Sequence, residues 1–133
     1  IASDALDTTL RYDLRRQGMI KDTIHTREVD TAYMRGVDLL QKRRYAKALY
    51  ILHEYHDRNT VVTLLSLGHD AQAFEMLDGL EQTATVEYLK AVACSRLGRK
   101  AEGREHFLTA CGMDERMQYR GNLDPEITEL LKE

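Results

Sequence analysis

The chain is short of proline, tryptophan, cysteine and long apolar runs, and each shortage removes a class of protein. One proline in 133 residues leaves few forced turns, which suits a helical chain. No stretch approaches the roughly 18 apolar residues that a membrane-spanning helix needs. Two cysteines, Cys94 and Cys111, make no disulfide framework, and neither has a CxxC partner or a histidine at a useful spacing. Both fall in apolar helical patterns and are expected to be unpaired, shielded core residues. Charge of one sign is lacking too: the net charge is -3 and the pI is near 6.0. That leaves no basic field to hold a nucleic acid.

What remains is 43% apolar and 31% charged, enough for a core under a solvated surface and unlike a disordered chain. At 133 residues the expectation is a single domain, 1–133. The chain starts at Ile1 and carries no cationic region ahead of an apolar stretch. It reads as a processed protein or the tail of a larger one, and its first residues assign no compartment.

One internal spacing recurs three times. Gly36 is followed by Leu39, Ala48, Leu52 and Tyr55; Val61 by Leu64, Ala73, Leu77 and Leu80; Ala91 by Cys94, Gly103, Phe107 and Ala110. Offsets of 0, 3, 12, 16 and 19 hold in all three, and a turn marker sits seven residues after each start, at Arg43, Gly68 and Gly98. Each unit therefore reads as a helix, a short turn and a second helix. Small residues let two helices approach, and large ones fill the space beside the crossing.

This pattern resembles the tetratricopeptide repeat (TPR), with Gly36 to Leu39 in a first helix and Ala48 to Leu52 in the second, after Arg43-Arg44-Tyr45-Ala46-Lys47-Ala48-Leu49. Gly98, Phe107 and Ala110 match in the third copy. The resemblance covers about residues 29–115 and implies a helical-hairpin array. It names no partner, because the family binds many. The starts are 25 and 30 residues apart, whereas the family period is about 34. The closing proline is absent, and Glu87 stands where the family usually has a large apolar residue. An irregular superhelix with a short middle first helix, about Asn59 to Leu67, is expected.

The flanks also read as helical. Residues 1–18 carry Leu6, Leu10 and Leu14 at helical spacing, between Ser3 as N-cap and Gly18 as stop, and 19–26 form a polar connection. Asp124-Pro125-Glu126 is a helix start, opening a C-terminal capping helix over 124–132 with Ile127, Leu130 and Leu131 as its apolar stripe. The tail Tyr119-Arg120-Gly121-Asn122-Leu123-Asp124-Pro125 resembles the C-terminal repeat regions of some bacterial cell-envelope proteins. That resemblance implies a place in a larger bacterial polypeptide.

Chemistry is sparse. His53 and His56 lie three apart beside Glu54 and Asp57, but no further ligands follow at metal-site spacing, so a solvated polar face is the better reading. No nucleophile elbow, phosphate-cradling loop or HExxH occurs, and no cofactor or enzymatic activity is expected. Lys42-Arg43-Arg44 and Arg96, Arg99 and Lys100 fall at first-helix ends, where cations complement the helix dipole.

The most informative surface is the face of the first helices turned away from their own hairpins. It is expected to carry Tyr33, Val37, Leu40 and Gln41, then Val62 and Leu65, then Tyr88, Val92 and Arg96, with Ser95 alongside. The stretch 61–67 is apolar nearly all round, so something must cover it. The leading expectation is an all-α, TPR-like array of about three hairpins with an extra helix at each end. It would act as a non-catalytic interaction module, with those residues as a groove for a protein or peptide segment. The alternative is a structural or assembly domain of a larger polypeptide, with the groove filled from within. The asparagine and lysine set of the family's carboxylate-clamp members is not visible on these positions, so that activity is not implied.

Overall fold

A computed structural model describes residues 30–132, and within them the chain is all-α, with eight helices and no strand. They are α1 (Thr31–Gln41), α2 (Tyr45–Leu52), α3 (Arg58–Ser66), α4 (Asp70–Asp78), α5 (Ala84–Leu97), α6 (Lys100–Met113), α7 (Arg116–Leu123) and α8 (Pro125–Leu131). The helix and connection expected over 1–26 lie outside the described residues. None of the described helices is long and apolar enough to cross a membrane.

Local chemistry sets the boundaries. The side chains of Asp30, Asp57 and Thr83 accept from the backbone N–H of Tyr33, Thr60 and Val86, capping α1, α3 and α5. Helices α2, α4 and α6 are entered through left-handed backbone instead. Arg43, Gly68 and Gly98, the three turn markers, have φ of 61°, 82° and 78°. Glycine takes that conformation without steric cost, whereas Arg43 takes it at some cost.

Consecutive helices pack on one another, and α8 packs on α5, α6 and α7. The positions singled out by the recurring spacing are buried or half-buried in every case. The helix expected near Asn59–Leu67 runs from Arg58 to Ser66, and its residues 59–65 are all buried. Its polar members are bonded within the fold: Thr60 Oγ1 donates to Leu52 O at 2.8 Å and Thr63 Oγ1 to Asn59 O at 2.8 Å.

Two apolar clusters share one helix. Val86, Leu89 and Ala93 of α5 join a cluster with residues of α1–α4, while Tyr88, Ala91 and Val92 join Phe107, Ala110, Met117, Ile127 and Leu130. Helix α5 is thus buried from Thr85 to Cys94 and forms the spine of the described region.

The C-terminal end corrects the expectation. The tail around Tyr119 is helical, and two helices, not one, follow α6. Only Met117 and Gly121 of α7 are buried, so no apolar stripe announces it. A Cβ on Gly121 would lie 2.5 Å from Phe107 Cζ, so a glycine does the packing that a periodic search assigns to larger residues. The last helix begins as expected: Asp124 accepts from Glu126 N–H at 2.9 Å and Pro125 is its first residue.

Candidate functional site

The nine groove candidates do not form an open surface. Tyr33, Val37, Leu40, Val62, Leu65, Tyr88 and Val92 are buried, each at 7% exposure or less. Gln41 is exposed and Arg96 is partly buried. The polar atoms of Tyr33, Tyr88 and Arg96 are bonded within the chain.

Tyr33 and Tyr88 stand at the same register, three residues before Gly36 and Ala91, and they do the same work. Tyr33 Oη donates to Asp57 Oδ2 at 2.6 Å, and Tyr88 Oη donates to Asp124 Oδ2 at 2.7 Å. Each acceptor is an N-cap aspartate whose other oxygen caps its own helix. A phenol on one helix thereby fastens the start of a later helix, α1 to α3 and α5 to α8. Asn59 Nδ2 donates to Tyr33 Oη at 2.7 Å, and the Tyr55 ring lies 4.8 Å from that of Tyr33, centroid to centroid. The Arg120 guanidinium lies 5.0 Å over the Tyr88 ring. Burial, followed by the Asp124 hydrogen bond, pushes the Tyr88 phenol well above its ordinary range.

Arg96 serves as a junction. Nε donates to Glu126 Oε1 at 2.6 Å, and Nη1 donates to Asp70 Oδ1 at 3.1 Å and also to Leu65 O. The side chain ties α3, α4 and α8 to α5. Ser95 Oγ adds a bond to Glu126 O at 2.9 Å. Glu126 Oε2 is buried with no hydrogen-bond partner among the described residues. Burial raises the Glu126 pKa, and the Arg96 contact only partly offsets it. The two faces of the same carboxylate account for that: one oxygen is paired, the other is dry.

The charges of α5 are handled internally as well. Lys90 Nζ donates to Gln82 Oε1 at 2.5 Å and lies 3.0 Å from Asp78 Oδ1. Glu87, the departure from the family pattern, is buried with Oε2 2.6 Å from His106 Nδ1. Both cysteines are free; Cys94 is fully buried, and burial, followed by the nearby Glu102, raises its thiol pKa to about 11.

The open concavity lies elsewhere. A cleft of about 540 Å³ sits between α2, α3 and α4. Leu49, Leu64, Met76 and Leu80 give it apolar walls, and exposed His53, His56, Gln72 and Glu75 are its polar rim. His53 and His56 are exposed, as a solvated polar face requires, and both border this cleft. The cleft residues were not anticipated because most belong to second helices and the inter-helix turns. Asp124 was the legible part of the phenol contacts, as the N-cap of an expected helix, whereas Asp57 was read only as part of a polar face. That one oxygen of each also accepts a hydrogen bond from a tyrosine hydroxyl depends on a fold-level meeting of residues 24 and 36 apart in sequence.

No family model, no curated protein and no solved structure matches this chain.

Proposed function

We propose that the chain is a non-catalytic structural and assembly module made of TPR-like helical hairpins, its inner face closed from within. The observation that carries this reading is the fastening of Tyr33 and Tyr88 to the N-cap aspartates of later helices. A partner site keeps its aromatic anchors available and desolvates them on binding; these two have their hydroxyls bonded and their rings buried already. The hairpin-repeat reading is supported by burial at the same offsets in three successive units and by left-handed backbone seven residues after each start. The bacterial cell-envelope resemblance of the tail fits a module carried by a larger polypeptide. The test is the triple variant Tyr33→Ala, Tyr88→Ala and Arg96→Ala. It is expected to lose several kcal/mol of stability, with three inter-helix fastenings removed. A triple variant that melts with the parent would return these residues to a partner surface.

A second reading has its own observation. The cleft between α2, α3 and α4 combines apolar walls with a polar rim, the make-up of a site for a protein segment. Gln72→Trp and Glu75→Trp would fill it from exposed positions. Loss of peptide binding by fluorescence polarisation, at unchanged melting temperature, supports this second site; unchanged binding removes it.

A further inference from the structure

The α5–α6 contact brings together three side chains of different chemistry. One ligand atom each from Cys94, Glu102 and His106 lie within 4.8 Å of one another. From the spacing of Cys94, Glu102, His106 and the supporting Glu87, we infer a binding site for a divalent d-block cation of the zinc type. Solvent would complete a four-coordinate shell.

The architecture of the cluster supports this. Glu102 and His106 are four residues apart on α6, so they share a face, and Cys94 meets that face from α5. Gly103 makes the meeting possible: a Cβ there would stand 3.0 Å from Cys94 Cβ and 2.7 Å from Leu130 Cδ1. His106 has the second contact that a metal-binding imidazole usually has. Its Nδ1 lies 2.6 Å from buried Glu87 Oε2, which orients the ring and leaves Nε2 facing Glu102 Oε2 at 3.7 Å. The other Glu87 oxygen lies 4.0 Å from buried Lys90 Nζ, so the carboxylate that steadies His106 is itself paired.

The dimensions are close to those needed. With three atoms at most 4.8 Å apart, a common centre lies at most about 2.8 Å from each in their plane, so bonds of about 2.0–2.3 Å require inward shifts of up to roughly 0.5–0.8 Å. Glu102 has the freedom for that, with 45% of its side chain exposed, and it lies on the solvent side from which an ion would enter. The charge balance is favourable: thiolate and Glu102 neutralise the ion, and the thiol proton leaves to solvent. Two cations compete nearby: Lys90, bonded to Asp78 and Gln82 and 4.0 Å from Glu87 Oε1, and Arg99. Sulfur and imidazole donors select zinc or cobalt over magnesium or calcium.

Cobalt(II) titration of the metal-free full chain is the test. One equivalent is expected to give tetrahedral d–d bands and a thiolate-to-cobalt charge-transfer band, both removed by zinc and unaffected by excess magnesium. Cys94→Ser should abolish the charge-transfer band, and Glu102→Gln, an exposed substitution that spares folding, should weaken binding at least tenfold. Glu87→Gln should weaken it about 10–100-fold through the His106 ring. A cobalt spectrum without the charge-transfer band, or binding equal to the parent in Glu102→Gln, overturns the site.

Discussion

Removing one oxygen atom from Tyr88 tests the fastening of α5 to α8 directly. Tyr88→Phe keeps the ring, its edge-on contact with Phe107 at 6.2 Å between centroids, and the Arg120 contact. It deletes only the 2.7 Å bond to Asp124 Oδ2. Asp124 is 1% exposed, so water cannot readily replace the lost donor. Its other oxygen still caps Glu126 N–H, so α8 keeps its start. A hydrogen bond to a charged acceptor contributes about 1.5–3 kcal/mol, and the stranded oxygen puts the loss in the upper part of that range. For a chain of this length the melting temperature should fall by roughly 5–12 °C. Thermal and urea denaturation followed by far-UV circular dichroism would measure it. Tyr119→Phe is the control, since Tyr119 is 75% exposed and should change stability by less than about 0.5 kcal/mol. A Tyr88→Phe loss no larger than that control refutes the fastening, and with it the main support for an inner face closed from within.

Gly121→Ala should be destabilising although alanine is the better helix former. The added Cβ falls 2.5 Å from Phe107 Cζ and 3.1 Å from Ile127 Cγ2. Overpacking costs about 1–3 kcal/mol against a propensity gain of about 1 kcal/mol, so a urea midpoint at or above the parent's would contradict the α6–α7 contact. The Glu126 carboxyl predicts a direction with pH. Its folded pKa lies above the ordinary 4.5, so the folded state takes up its proton first as pH falls. The parent should therefore gain stability relative to Glu126→Gln as pH drops from neutral towards 4.5, and lose that gain as pH rises again. The opposite slope in paired denaturation curves would mean that the Arg96 contact outweighs the burial of Oε2.

Much of the architecture is written in local chemistry. Asp30, Asp57, Thr83 and Asp124 each precede a helix, and Gly68 and Gly98 sit where the backbone turns left-handed. Small residues at equal offsets, Ala48, Ala73 and Gly103, lie buried at helix contacts. These features depend on a residue and its near neighbours along the chain, so periodicity and capping rules reach them. Helix α7 escaped because its packing residue is a glycine, which has no side chain for a hydrophobic pattern to register.

Which groups the inner-face side chains bond was decided by distance through space. The sequence placed Tyr33, Tyr88 and Arg96 on one side of their helices but could not say which carboxylates would meet them. Asp57, Asp124, Asp70 and Glu126 arrive from 24 to 36 residues away. Whether a tyrosine awaits a partner or closes a core depends on whether such an acceptor is within about 3 Å. The same holds for Cys94, whose nearest histidine in space is set by the crossing of α5 and α6 at Gly103 rather than by any short motif. Helix starts, turns and the apolar register are properties of neighbouring residues and belong to the sequence. The pairing of buried polar groups is a property of how helices cross, and only the tertiary structure could decide it.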